Sequence, residues 1–272
     1  MKKVYHTEKI WVNNMLKGID VSTYQKSHLM DYDKIVQQID FVIIRLGYTG
    51  SIDGVSWALD DQFKNHYREF SKRGVPIGIY WFSRANSPAR AIAEANTVIK
   101  LVQDMNLKLE YPIWWDTEDK VYQAKVSRQV LTDTAKAFCQ TLENAGYYSG
   151  IYAGLSWANT KLDMNQLKAH DFWLAQYNNV PTFNGKFGMW QHTRKGRLLG
   201  YDNDLDMNIA YRDYKAIITK AGLNNFPKEV EKPIEKPVEH QCLSLKEVED
   251  VTRKVIKEEL SKLKVVVEIG NT

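Results

Sequence analysis

The 272-residue sequence predicts an α/β fold, a modified β/α barrel of about five βα units followed by three more strands, with a linker and a short helical C-terminal tail. The spacing of apolar runs carries this prediction. Eight short runs rich in Ile, Val, Tyr, Phe and Trp recur up to residue 210, and half of them end in Gly, Ser, Thr or Asn. That is the pattern of buried strands running into loops. Helix-like stretches separate the first five runs, as in parallel strands joined by crossovers. Beyond residue 178 the runs draw closer and the alternation stops.

In chain order the strands are expected at 18–22, 41–48, 76–82, 111–118, 148–154, 172–178, 187–193 and 205–210. Helices are expected over 57–73, 88–106 and 127–145. Pro88 suits a first helical turn, where its missing N–H costs nothing. Ser127 suits the N-cap of the third helix and Gly146 its end. Only eight residues separate Asn178 from Phe187, and eleven separate Thr193 from Leu205. A crossover that carries a helix needs at least about 10–12 residues. The second gap also holds Gly196, Gly200, Asp202 and Asn203, all turn formers. The last strands are therefore expected to connect by hairpins and to run at least partly antiparallel, unlike a regular eightfold barrel.

Pro227, Pro233 and Pro237 stand among Glu and Lys, which predicts an extended linker over 227–240 between a barrel domain (1–226) and a tail (241–272). Within the tail, 243–263 reads as an amphipathic helix: Leu245, Val248, Val251 or Thr252, and Val255 fall at steps of three and four, and Ile256, Leu260 and Leu263 continue the face. Residues 265–267, three valines, suit a strand. About 30 residues cannot build a core of their own. Such a tail docks, frays or self-associates, and a homo-oligomer through 243–263 is the leading expectation. Ahead of the barrel, Val4, Tyr5, Ile10, Trp11 and Val12 suit a short strand on its outside.

Composition excludes several classes. With 44% hydrophobic and 12% aromatic residues the chain can bury a large core, so wholesale disorder is out. A net charge of +4 on this length is no nucleic-acid footprint. No apolar run approaches the roughly 18–20 residues of a membrane span. After Met1-Lys2-Lys3, the residues His6, Glu8 and Lys9 interrupt any export signal. Cys139 and Cys242 make neither a disulfide framework nor a zinc spacing, and the six histidines form no H-x-H or H-E-x-x-H. Neither a cofactor nor a metal site is expected.

Barrel enzymes place their chemistry where strands end. Asp20 ends the first strand, Asp116 and Glu118 end the fourth, and Asp206 opens the last. Residues two apart on a strand share a face, so Asp116 and Glu118 should share the barrel mouth. Two close carboxylates resist ionising together, and apolar walls such as Trp114 and Trp115 would raise a pKa further. A carboxyl still protonated near neutral pH is a general acid. Four acids without histidines suit either an oxygen-ligand metal site or glycoside chemistry. Aromatic supply favours the second. Tyr80, Trp81, Tyr152, Trp173, Tyr177 and Trp190 lie at or near strand ends, where rings stack on sugars. Gln176 and Gln191 can hydrogen-bond hydroxyl and acetamido groups. Each aromatic alone reads as core; as a set around one mouth they read as a saccharide cleft.

The segments K-G-I-D-V-S-T-Y-Q, F-V-I-I-R-L-G-Y-T-G, P-I-G-I-Y-W-F-S-R, Y-P-I-W-W-D-T-E, S-G-I-Y-A-G, W-L-A-Q-Y, M-W-Q-H-T and L-D-M-N resemble glycoside hydrolase family 25 in order and spacing, over residues 17–212. These are the Chalaropsis-type lysozymes, N-acetylmuramidases that include many phage endolysins. The resemblance implies a barrel of five βα units and three further strands. It also implies cleavage of the β-1,4 bond between N-acetylmuramic acid and N-acetylglucosamine in bacterial peptidoglycan. By the same resemblance Glu118 is the proton donor, Asp116 its partner, and Asp20 and Asp206 the other acids. Tyr80, Tyr152 and Gln191 match cleft positions. Trp173, Gln176 and Trp190 join them as expected substrate contacts. A lysozyme of this kind without an export signal fits an endolysin held in the host cytoplasm before lysis and acting afterwards on the cell wall. A non-catalytic peptidoglycan-binding barrel and a secreted bacterial muramidase are the alternatives.

Overall fold

The computed structural model describes residues 11–228 and 244–262. They belong to two compact units, Met1–Glu229 and Val230–Thr272. In the first, the strands are β1 (Trp11–Val21), β2 (Phe41–Thr49), β3 (Trp57–Leu59), β4 (Ile77–Phe82), β5 (Ile113–Asp116), β6 (Ser149–Gly154), β7 (Asp171–Ala175), β8 (Met189–Leu198) and β9 (Tyr201–Arg212). The helices are α1 (Tyr32–Ile35), α2 (Phe63–Ser71), α3 (Pro88–Asp104), α4 (Arg128–Asn144), α5 (Leu155–Thr160) and α6 (Tyr214–Ala221). Eight strands close in the order β1-β9-β8-β7-β6-β5-β4-β2, with β2 returning to β1. The short β3 pairs antiparallel on β2 outside this ring.

All eight expected strands are present. The expected caps of α4 are too: Ser127 Oγ accepts from the Val130 N–H at 3.2 Å, and Gly146 takes φ 87 just beyond the helix. Two expectations need correction. The helix foreseen over 57–73 begins only at Phe63, because residues 57–59 extend to pair with Gly47–Thr49 as β3. The Asp60 carboxylate then turns the chain by accepting from the Gln62 N–H at 2.8 Å. The second correction concerns the late strands. β8 pairs with β9 and β9 with β1 antiparallel, but β7 and β8 run parallel, with Trp173 opposite Met189. β7 ends three residues earlier than expected and β8 begins two residues later, so residues 176–188 make a crossover without a helix. Phe183 and Phe187 weight it down, packing on Phe172 at 5.4 Å and Tyr211 at 5.5 Å. The one late hairpin turns at Leu199–Gly200, with Gly200 at φ 98.

Strand alternation sorts the core into two layers. Outward residues such as Ile44, Leu46, Ile79, Trp81, Trp115 and Leu174 pack under the helices against Phe70, Val98, Leu131 and Phe138. Inward residues Phe41, Ile43, Tyr111, Trp114 and Trp173, together with Tyr214 of α6, plug the barrel floor with stacked and edge-on rings. The Trp114 ring fits because position 150 is glycine: a Cβ there would collide with it. Above this floor the inward positions turn polar, and the site begins.

In the second unit, α7 (Leu245–Lys262) starts at a reciprocal cap: Ser244 Oγ accepts from the Glu247 N–H, and Glu247 Oε2 accepts from the Ser244 N–H. Its apolar side chains Leu245, Val248, Val251, Val255, Ile256 and Leu260 are exposed. Residues 1–10, the linker beyond Lys228, Cys242 and the valines 265–267 lie outside the described residues.

Candidate active site

A cleft of about 530 Å³ opens over the floor at the end where the parallel strands finish. Alternation builds it: Asp20 of β1, Arg45 of β2, Tyr80 of β4, Asp116 of β5, Tyr152 of β6, Trp173 of β7, Gln191 of β8 and Asp206 of β9 all face inward and line it. Glu118, two residues past Asp116, joins them. The structure thus brings together all four expected carboxylates and four of the six expected substrate contacts.

Gln176 and Trp190 stand apart from the cleft, and this corrects their expected role. Trp190 precedes the inward Gln191 on one strand, so it points outward into the helix-covered layer. There its indole N–H donates to the Gln176 carbonyl at 2.8 Å. The Gln176 side chain donates to Thr182 Oγ1 at 2.7 Å and accepts from the Thr182 N–H at 2.9 Å. Both residues hold the β7–β8 crossover in place. Trp115 likewise points outward, so Trp114 alone of that pair underlies the acids.

Asp20 is held by two amides. Its Oδ2 accepts from Gln191 Nε2 and from Asn208 Nδ2, each at 2.8 Å. Other donors fix which way these amides face. The Tyr152 and Tyr177 hydroxyls donate to Gln191 Oε1 at 2.9 and 3.0 Å, and the Trp173 indole donates to Asn208 Oδ1 at 2.9 Å. Asn208 escaped the sequence reading, although it lies two residues from Asp206 on the same face. Burial and the neighbouring Asp206 outweigh the two amides and push the Asp20 pKa up to about 8. Burial likewise lifts Asp206 to about 6, against the pull of Arg194.

Asp116, the last residue of β5, and Glu118 just beyond it are two kinds of carboxyl. Asp116 is buried, its Oδ1 has no hydrogen-bond partner, and burial with the Glu118 and Asp20 charges drives its pKa well up, while Arg45 opposes. Glu118 stands open in the cleft, yet the surrounding walls strip enough water to raise its carboxyl above the usual range; Lys120 pulls the other way. The backbone that carries Glu118 is braced on both sides. The Thr117 hydroxyl and the Asp119 N–H both donate to Oε1 of the buried Gln123, at 3.0 and 3.1 Å. Gln123 Nε2 donates in turn to Ser83 Oγ at 3.2 Å, and Asp119 pairs with Arg84 at 3.2 Å. A raised, open carboxyl beside a buried, unpartnered one can deliver a proton to a bound oxygen while the second holds an adjacent polar group. Among the described residues no group of three or more His, Cys, Asp or Glu is arranged to hold a metal ion, and no helix is long and apolar enough to cross a membrane.

Comparison with known proteins gives one answer. Residues 19–201 match the model of Glycosyl hydrolases family 25, a span that contains Asp20, Asp116 and Glu118 and stops just short of Asp206. The autolytic lysozyme of Clostridium acetobutylicum is 23% identical over 194 residues, which are 71% of this chain and 55% of the relative. This chain therefore spans about half the length of the curated relative it matches. The solved modular autolysin LytC of Streptococcus pneumoniae, in complex with a synthetic peptidoglycan ligand, is 25% identical with a TM-score of 0.64, over 75% of this chain and 48% of that one. The catalytic domain of endolysin ply40, from bacteriophage P40 of Listeria monocytogenes, shares the fold at 22% identity and a TM-score of 0.60, over 76% of this chain and 98% of that one.

Proposed function

From the premise that this chain belongs to glycosyl hydrolases family 25, we propose that its cleft hydrolyses the β-1,4 bond between N-acetylmuramic acid and N-acetylglucosamine in bacterial peptidoglycan. The observation that carries this reading is the pair at the end of β5, an open Glu118 and a buried Asp116 with both pKa values raised. Glu118, protonated, gives its proton to the glycosidic oxygen as the bond breaks. Asp116, which lines the same cleft, accepts the N–H of the substrate's acetamido group. It thereby sets the acetamido oxygen to attack the anomeric carbon, a substrate-assisted route. Asp20 and Asp206 complete the acidic set. Tyr80, Tyr152, Trp173 and Gln191 seat the sugar rings.

The same reading makes the protein a cell-wall lytic enzyme and a phage endolysin, held in the host cytoplasm until lysis. The family and the likeness to an endolysin catalytic domain support it. Self-association through 243–263 belongs to this reading, supported by the exposed apolar face of α7.

The test pairs wild type with Glu118→Gln on purified Gram-positive peptidoglycan, with released reducing ends identified by mass spectrometry. Wild type should release reducing N-acetylmuramic ends, and the variant should lose about two or more orders of magnitude in rate. Equal rates would remove Glu118 from its role. Wall binding without cleavage by wild type would make the barrel a binding module.

A further inference from the structure

Arg45 faces the cleft, and the acid–base scheme above gives it no task. On β2 the inward positions are Phe41, Ile43 and then Arg45; the first two belong to the floor, so Arg45 occupies the layer above, opposite Tyr80 of β4. Only 9% of the residue is exposed. Its Nε is locked to Asp60 Oδ2 at 2.6 Å. Asp60 is itself held, accepting from the Thr23 N–H at 2.9 Å and from the Gln62 N–H at 2.8 Å. The rings of Tyr24 and Tyr48 flank the guanidinium at 5.5 and 5.4 Å. No hydrogen bond of Nη1 or Nη2 is found among the described residues. A buried guanidinium fixed along one edge and flanked by rings is a preorganised fork, and such forks match carboxylates with two parallel hydrogen bonds. The four acids of the cleft do not forbid an anion here. Burial raises the pKa values of all four, and Arg194 lines the same walls with Arg84, which pairs with Asp119, and with one further acid, Asp61.

We propose that Arg45 is a carboxylate-binding subsite, which takes an acid carried on the muramyl side chain of the glycan. This rests on the peptidoglycan reading. Two sources share the chemistry: the lactyl carboxylate of peptide-free strands, and the α-carboxylate of a D-glutamate in the stem peptide. In both cases the acid form of the substrate is preferred over its amide.

The experiment measures kcat/KM for wild type and Arg45→Gln on two matched pairs. One pair is peptide-free strands with the lactyl group as acid or as methylamide. The other is stem-bearing strands with D-glutamate or D-isoglutamine. Wild type should favour the acid by about tenfold in at least one pair, and Arg45→Gln should bring that ratio close to one. The pair that shows the preference identifies the source. Arg45→Lys retains a cation for Asp60 but lacks the fork. It should also lose the ratio, and it replaces the glutamine variant if that one does not fold. A wild-type ratio near one in both pairs, or a ratio that survives the substitutions, overturns the subsite and leaves the glycosidase reading standing. No cleavage of any of the four substrates by wild type sinks that reading and the subsite together.

Discussion

Asp20 and Asp206 are register partners across the antiparallel strands β1 and β9, so their carboxyls enter the cleft side by side. Both are pushed up from 3.8, Asp20 to about 8 and Asp206 to about 6, by burial first, and Asp20 next by its partner. The folded chain thus keeps protons that the unfolded chain has released. Stability conferred by the neutral acids is complete below about pH 4 and is lost as the pH rises through about 6 and then about 8. Asp20→Asn keeps an acceptor for Gln191 and Asn208 but carries no charge. It should unfold a few degrees above wild type at pH 8, about 2–4 °C for each kcal/mol gained, and the gap should close by pH 4. Thermal unfolding followed by circular dichroism reads this directly. A gap independent of pH would break the linkage to Asp20.

In the proposed role Glu118 acts only while protonated, so the rate should fall as pH rises through its lifted pKa. Lys120 holds that pKa down. Lys120→Met should therefore move the alkaline limb of the kcat profile to higher pH, with the rate at the plateau little altered. High salt should erase the difference, because Lys120 is exposed and its field is screened. A limb that stays in place would show that another group sets it.

Gln123 touches both neighbours of Glu118 without reaching the cleft lining. It is a positioning residue, and its loss should act on the transition state more than on ground-state binding. Gln123→Leu should lower kcat by about 10- to 100-fold with KM near the wild-type value. Gln123→Glu keeps an oxygen for Thr117 and Asp119 and should recover part of the rate. Parallel losses in both variants, with KM raised, would point to a general disturbance of the fold.

Trp190 and Gln191 show how far the sequence could be read. Adjacent strand residues face opposite ways, so both could not enter one cleft; parity alone assigns Gln191 to it and Trp190 to the helix layer. The same parity, counted from Phe41 and Ile43, puts Arg45 inside. The carboxylates were legible because strand ends and D-x-E spacing are local signals. Gln123 was not, because its partners Thr117 and Ser83 meet it only through the fold. The parallel β7–β8 pair was hidden too. Strand ends set by pairing rather than by composition left 13 residues for a crossover where the apolar runs suggested eight.

Trp190→Phe follows from that placement. It removes the hydrogen bond to the Gln176 carbonyl and part of a buried ring, which should cost about 1–3 kcal/mol of stability. kcat and KM on peptidoglycan fragments at 25 °C should stay close to wild type. A selective rise in KM would return Trp190 to substrate contact.

The apolar face of α7 carries the last prediction. Val248, Val251 and Val255 follow one another at steps of three and four, all exposed, with Leu245 before them and Ile256 and Leu260 beyond. An isolated helix of 18 residues is marginal in water even with its Ser244–Glu247 cap, so its persistence calls for a packed apolar stripe. On the proposed self-association, a second copy would supply the matching stripe. The full chain should sediment as a concentration-dependent oligomer, and Val251→Asp with Val255→Asp should make it a monomer by placing charge in the seam. Cleavage of short soluble glycans should be the same for both, since the substitutions leave the barrel untouched. Clearing of insoluble walls should slow in the monomer, because several barrels on one assembly rebind a polymer before they escape. A wild type that sediments as a monomer at all concentrations would remove the oligomer and leave the helix without this role.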